Sequence, residues 1–410
     1  MRSKLFLVIA GISLLVAAQQ AMAQKKYGPG VSDTEIKLGQ TMPYSGAASQ
    51  LSLLGKTELA YFKMINSQGG VNGRKINLIS VDDGFSPPKS AEQARNLVER
   101  DGVFAIFSNI GSGPNLAMQK YLNDNKVPHI FISAGTPKLV EDPKSTPWTT
   151  TFYPTLTMEG QLLAAYVLKA KPGAKVGIFY QNDETGKTYR DGFVSGLGDK
   201  AASMVVKEVA ADLTSPTVES QILQLKAAGA DAVFFGSTTP KFGAQGIRKI
   251  GELGWKPLLL LVPGVAQIEG TLKPAGLEYA KGAVVPIFLK YPSDPQWAKD
   301  PDMISYLAFM KEYLPNEGVN ESSTLVGYTV SQMLVEVLKR CGDDLTRENL
   351  MDKVTSYRDY QPGLFVPGVK VNISKDDRVP WRAAQIAQFD GQNWVYSGGI
   401  VTVPKQAPQR

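Results

Sequence analysis

The stretch Val103-Phe104-Ala105-Ile106-Phe107-Ser108-Asn109-Ile110-Gly111-Ser112-Gly113-Pro114 runs from an apolar strand through a glycine-bearing loop to a proline suited to the first turn of a helix. Residues 103–107 read as the strand and 115–123 as the helix that the loop opens into. The next strand, 129–133, ends in Ser133-Ala134-Gly135-Thr136-Pro137, which repeats the arrangement. Working outward, strands are expected at 36–41 and 75–81, and helices at 56–66 and 90–100, the former with Leu59, Phe62 and Ile65 on its apolar face. Such alternation builds a parallel sheet with helices on both faces.

A second series of the same kind follows residue 150. Helices are expected at 159–168, 189–197, 218–228 and 243–252, and strands at 175–180, 204–208, 232–235 and 258–262. The C-terminal third departs from this pattern, with helices at 303–313 and 324–340, a Pro/Gly-rich passage at 362–368 and a final hairpin. Asp390-Gly391 lies between alternating runs 384–389 and 393–396, a strong hairpin signal. This third has too few strands for a domain of its own and is expected to complete both earlier units.

Hydrophobic residues make up 43% of the 410-residue chain and charged ones 20%, which is a globular composition long enough for two cores. The formal charge of +6 is spread without long basic runs, so nucleic-acid binding is unsupported. Arg2 and Lys4, the apolar run 5–18 and the triplet Ala21-Met22-Ala23 have the order of a secretory signal peptide, expected to be cut after Ala23. Its apolar part is shorter than a bilayer span. Cys341 is the only cysteine and His129 the only histidine, which excludes an intramolecular disulfide and a His/Cys metal cluster by count. Cys341 reads as a small buried helix residue.

Gly55-Lys56-Thr57 and Gly186-Lys187-Thr188 end like phosphate loops, but Gln50 and Gln181 stand where the earlier glycine is needed. Asp82-Asp83 reads as a turn or helix-capping pair, since adjacent strand residues point to opposite faces. The loops at Gly111–Pro114 and Ser133–Pro137 are more informative. Each follows a strand, and exposed N–H groups at a helix start favour a carboxylate. Side by side they would make one wall of donors. A hydrolase would need Ser112 or Ser133 as nucleophile and His129 as base, but His129 begins the strand whose far end carries Ser133.

A resemblance then enters. Ile36-Lys37-Leu38-Gly39, Ser45-Gly46, Ile65-Asn66 and Gly69-Gly70-Val71-Asn72-Gly73-Arg74-Lys75-Ile76 carry it, with Asp82-Asp83, Pro87, Pro88, Ala91, Leu97-Val98, Asp101-Gly102-Val103, the loop 133–137 and Gly229-Ala230-Asp231-Ala232-Val233. These resemble the binding proteins of branched-chain-amino-acid-type ABC importers, the leucine/isoleucine/valine-binding family of the type I periplasmic binding protein fold. The resemblance implies an α/β chain of two Rossmann-like lobes joined by a three-strand hinge, with the ligand cleft between them. It divides the chain into a signal peptide 1–23, a first lobe of 24–153 with 283–361, and a second lobe of 154–282 with 362–410. It also implies a periplasmic monomer that is not an enzyme, has no cofactor or metal, takes up a small-molecule solute and passes it to an ABC-importer membrane permease. A ligand sensor would use the same cleft, and an α/β enzyme is the competing class.

In relatives that bind α-amino acids, the ligand carboxylate meets the positions matched by Ser112 and Gly135, and its ammonium meets the carbonyl matched by Ser133 and a second-lobe acid. Leu51, Gly113, Ala134, Thr136, Thr185 and Thr238 complete the expected ligand-facing set. The acidic position falls at Pro263, and two tyrosine positions fall at Thr185 and Thr238. An ammonium buried without a partner costs several kcal/mol, so the expectation is an organic acid without that group, with aromatic acids suited to the space that threonine leaves. An amino acid is the alternative, with Asp183, Glu184 or Glu269 taking the ammonium.

Overall fold

The computed structural model describes residues 25–403, so the signal peptide expected at 1–23 lies outside the described residues. In chain order, β1 (Lys26–Tyr27) is followed by β2 (Glu35–Met42), α1 (Leu53–Ser67), β3 (Lys75–Asp82), α2 (Pro87–Glu99), β4 (Ala105–Phe107), α3 (Ser112–Asp124), β5 (His129–Ile132) and β6 (Thr149–Thr151). These strands form a five-stranded parallel sheet in the order β3-β2-β4-β5-β6. Then come α4 (Leu156–Ala170), β7 (Val176–Gln181), α5 (Glu184–Leu197), β8 (Val205–Ala211), α6 (Glu219–Ala227), β9 (Ala232–Gly236), α7 (Pro240–Glu252), β10 (Leu258–Leu261) and β11 (Val284–Ile287). The last segment holds α8 (Pro301–Tyr313), α9 (Ser322–Cys341), β12 (Asp344–Leu345), α10 (Arg347–Val354), β13 (Ala383–Phe389) and β14 (Trp394–Thr402).

The second sheet has seven strands in the order β14-β13-β11-β10-β9-β7-β8, parallel except for the final hairpin. Segment 301–354 returns to the first lobe, where α9 packs on α1 and β12 pairs with β1. The last third thus sets α9 and β12 beside elements of the first sheet's segment and adds β13 and β14 to the seven-stranded sheet. One expected boundary moves, however. The wholly buried run Val284–Ile287 pairs with β10 and β13, so the second lobe keeps β11 and the chain leaves it after Ile287, not at residue 283. An apolar run of this kind is stabilised by sheet neighbours on both sides, which a passage between lobes would not supply.

Three passages between the lobes follow from this topology: one after β6, one after β11 and one before β13. Each brings aromatic rings to a common point. Phe152 and Tyr153 come from the first, Phe288 from the second, and Phe365 and Trp381 from the third. Ring centroids lie 5.2 Å apart for Phe152 and Trp381, 4.9 Å for Phe288 and Trp381, and 4.8 Å for Phe365 and Trp381. Backbone bonds from Lys290 N–H to Leu364 and from Val366 N–H to Phe288, both 2.8 Å, zip the second passage to the third.

Most helices begin about one turn earlier than apolar periodicity indicates. Pro87, Pro240 and Pro301 occupy first positions, where a missing N–H costs nothing. In α1 the buried face is rotated from the expected one: Leu59 is 38% exposed while Glu58 is fully buried beside Tyr61 and Phe62. Both GKT triplets lie within helices, α1 and α5. The Asp82-Asp83 pair does serve turns: Asp82 accepts from Ser45 and Gly84 N–H and from Lys89, and Asp83 accepts from Phe85 N–H and Ser90.

Trp381 is 2% exposed at the meeting point of the three passages. Trp381→Ala is expected to cost about 3–5 kcal/mol, read as a lowered urea midpoint. A loss under about 1 kcal/mol would show that the ring cluster does not hold the lobes together.

Candidate functional site

Helix α3 starts at Ser112, and Gly111 before it adopts φ 97°, a left-handed conformation that favours glycine. The loop in front of this helix is held from behind. Asn115 donates through Nδ2 to the carbonyls of Gly111 (2.7 Å) and Asn109 (3.1 Å). Its Oδ1 is therefore the acceptor for His129 Nε2 at 2.7 Å. Burial pushes the His129 imidazole down to about 3, so it stays neutral. Engaged in this way at the rear of the loop, His129 is not placed as a base for either serine.

The neighbouring loop is bonded edge to edge with the first. Ser133 N–H donates to Asn109 O (2.9 Å), Gly111 N–H reaches Ser133 O (3.4 Å), and the Ser108 and Ser133 hydroxyls lie 3.0 Å apart. Ser112, Ser133, Ala134 and Thr136 are all buried, and Gly113 is half-buried at the start of α3. The structure thus brings the first-lobe set into one wall, at the carboxyl ends of β4 and β5. The Ser112 hydroxyl is 1% exposed and has no hydrogen-bond partner. Only glycine fits at 135, since a Cβ there would lie 2.2 Å from Pro154 O, and Gly135 O accepts from Leu156 N–H at 2.7 Å. That loop is consequently fastened to the first interlobe passage. Leu51 sits buried in the single turn Ser49–Ser52 that precedes α1.

On the second lobe, Thr185 is buried in the first turn of α5, where Asp183 caps the helix by accepting from Gly186 N–H at 3.0 Å. Thr238, after β9, gives its N–H to Gln181 Oε1 at 2.9 Å, and Ser237 Oγ donates to the same oxygen at 3.0 Å. Pro263 opens the turn Pro263–Val265 after β10, and Gly264 lies close against Thr238. All three positions lie past the carboxyl ends of parallel strands, where open α/β sheets bind ligands.

The lobes also touch away from the hinge. Thr136 Oγ1 of the first lobe donates to Glu184 Oε1 of the second at 3.3 Å, and Lys138 pairs with Glu184 at 3.0 Å. Glu321, ahead of α9, accepts the backbone N–H of Gly270, and burial together with the Glu269 charge pushes its carboxyl up to about 7. Glu184 is therefore the carboxylate that stands beside the donor loops, already neutralised by Lys138, whereas Glu269 is paired with Lys273 at 2.6 Å.

Sequence patterns missed the inner polar layer. Glu58, Gln40, Ser80 and Ser108 form a hydrogen-bonded cluster beneath Ser133. A glutamate on an amphipathic helix ordinarily faces water, and the one local sign was that the face containing Leu59 is not the most apolar. Among the described residues there is no metal-binding group of three or more His, Cys, Asp or Glu, and no helix is long and apolar enough to cross a membrane.

Comparison with known proteins bears directly on this arrangement: residues 35–393 match the family described as periplasmic binding protein. The chain belongs to that family. An amino acid binding protein of Pseudomonas aeruginosa is 23% identical over 314 residues, 75% of this chain and 79% of that protein. Leu/Ile/Val-binding protein homolog 1 of Brucella abortus is 24% identical over 351 residues, 85% and 87% of the two chains. Two solved structures share the fold. A branched chain amino acid ABC transporter protein from Thermus thermophilus with bound valine has a TM-score of 0.80 at 16% identity, covering 91% of this chain and 98% of that one. A fatty acid ABC transporter substrate-binding protein from Thermomonospora curvata has 0.76 at 21%, covering 92% and 95%. Membership makes this a binding protein and not an enzyme.

Buried carboxyls make the stability of this periplasmic binding protein pH-dependent. Burial raises Glu58 to about 8, and Glu159 and Glu321 to about 7. Between pH 6 and 8 the folded chain therefore holds protons that the unfolded chain has released, and stability falls as pH rises. His129 works in the opposite sense only below its ordinary value of 6.5. Urea midpoints are expected to drop from pH 6 to pH 8; a midpoint that rises would show these carboxyls to be ionised in the folded state.

Proposed function

We propose that this protein is the periplasmic solute-binding component of an ABC importer, exported after removal of residues 1–23, and that as a monomer it captures a small carboxylate-bearing solute and delivers it to a membrane permease. The carrying observation is the Ser112 hydroxyl, buried without a partner in the first turn of α3 beside a second loop of donors. An unpaired buried hydroxyl costs about 1–3 kcal/mol, and a carboxylate at that helix start would satisfy it and gain from the helix dipole. Ser112, Gly113 and Ser133 to Thr136 form the first-lobe wall in this reading, with Leu51 at its edge and Thr185, Thr238 and Pro263 opposite. The named solutes of the two structural neighbours, valine and a fatty acid, share a carboxylate on an aliphatic skeleton, which supports a carboxylate as the common chemistry.

Within this class, an organic acid without an ammonium is favoured, with aromatic acids first. Pro263 offers no charge, Thr185 and Thr238 are short, and Glu184 is already balanced by Lys138. An amino acid is the second reading, because Glu184 stands against Thr136 and could exchange Lys138 for a ligand ammonium.

A thermal-shift series with benzoate, cinnamate, fatty acids and branched-chain amino acids separates the two. Ligand at about 100 times its dissociation constant adds about 2.7 kcal/mol, so a clear rise in Tm is expected with an acid. A rise with leucine, isoleucine or valine and none with aromatic acids would discard the organic-acid reading. Ser112→Ala is expected to weaken the bound acid by about 1–3 kcal/mol, and unchanged affinity would remove Ser112 from the site. Glu184→Gln is expected to leave acid binding within about threefold, measured by calorimetry; loss of about tenfold or more in leucine binding would instead assign Glu184 to an ammonium.

A further inference from the structure

Glu58 is a carboxyl with no exposed surface on the inner face of α1, and no charged group accounts for its shift, which comes from burial opposed by its polar neighbours Ser108 and Gln40. The polarity of its surroundings can be followed atom by atom. Ser80 Oγ donates to Gln40 Oε1 at 2.8 Å, which turns the Gln40 Nε2 group toward Glu58 Oε2 and the carbonyl of Phe107. With its proton committed, Ser80 must accept from the Tyr44 hydroxyl at 2.7 Å. On this side the donor that reaches the carboxyl is thus Gln40 Nε2, and it points at Oε2.

Oε1 is left without a partner, on the Ser108 side. Ser108 is held at φ 54°, a left-handed conformation unusual for a residue with a Cβ, and its hydroxyl lies 3.0 Å from that of Ser133 in the donor loop. A carboxylate here would draw the Ser108 proton inward, and Ser133 would then give its own proton to Ser108. A neutral acid reverses the direction: its O–H faces Ser108, Ser108 donates to Ser133, and the Ser133 proton is free to face the cleft.

We propose that Glu58 is a positioning residue for the ligand carboxylate, acting as a neutral acid that turns the Ser108 and Ser133 hydroxyls toward the cleft and so ties solute capture to one buried proton. The inference rests on the carboxylate-binding reading above. Burial that raises Glu58 to about 8 supports it, because the acid form then prevails at neutral pH. The other titratable groups on packed elements leave the proton to Glu58. Tyr44 is engaged with Ser80, Lys56 on α1 faces Glu317 at 3.9 Å, Tyr328 of α9 meets Tyr61 edge to face at 5.2 Å, and His129 of β5 is bonded to Asn115.

Calorimetric titration with benzoate and with L-leucine, at pH 7 and pH 9, tests this on the full mature chain. If only the protonated form is competent, the probe that binds weakens about tenfold over that interval. Glu58→Gln keeps a donor toward Ser108 and an acceptor toward Gln40 but cannot ionise, so its affinity is expected to vary less than about twofold between the two pH values. It shares any titration of the probe itself, which cancels in the comparison. Equal pH dependence in both proteins would overturn the proposal, as would a carboxyl 13C resonance, assigned by its loss in Glu58→Gln, showing an ionised Glu58 at pH 6. Should neither these probes nor any acid of the thermal-shift series bind at either pH, the carboxylate reading and the proposal with it are discarded, whereas binding that is flat with pH discards the relay alone.

Discussion

Three chain passages must cross between two separately folded sheets, and the rings that they carry decide how those sheets can stand. Phe152, Tyr153, Phe288, Phe365 and Trp381 interlock, edge to face except for the tilted Phe288–Trp381 pair, with centroids 4.8 to 6.1 Å apart among the contacts that Trp381 and Phe152 make. Each such pair contributes about 0.5–1.5 kcal/mol beyond the area it buries. A cluster of this kind resists shear at the crossing point while leaving the distant faces of the lobes free to part. The orientation of the two sheets therefore depends on how these rings pack.

Anchoring extends from that cluster into the site. Gly135 lies against Pro154 O at the start of the first passage, so the loop bearing Ser133 and Thr136 moves with the hinge backbone. From the other direction, Asn115 and His129 pull two carbonyls of the adjoining loop back into the lobe. Carbonyls engaged inside the lobe are not available at the wall, where the Ser112 hydroxyl has no partner. Donor character in this wall is therefore a result of where the acceptors have been taken up, and serine content alone would not have produced it.

The polar layer beneath the wall has a cost that the structure accepts. Glu58, Gln40, Ser80 and Ser108 occupy volume that leucine or valine would fill with greater stability. Their arrangement gives the hydroxyls above them a defined direction, which an apolar core cannot do. Ser108 sustains a strained backbone in the same place. Strain and buried charge chemistry coinciding at one loop are the marks of a site held for function over stability.

Local periodicity determined much of this protein. Alternating runs announced two doubly wound units, the hairpin at Asp390-Gly391 and the two donor loops, because period and turn chemistry act over a few residues and need no distant partner. The family, too, was legible in one run, 69–76. Contacts between segments remote in sequence decided the rest. Val284–Ile287 reads as the start of the first lobe's return segment until β10 and β13 bracket it in the second sheet. Leu59 turns out and Glu58 in because Gln40 and Ser108 lie opposite, 18 and 50 residues away in the chain. Glu184 meets Thr136 only because the lobes face each other. Such pairings depend on how whole elements dock, and one strand or helix carries no record of what will be packed against it.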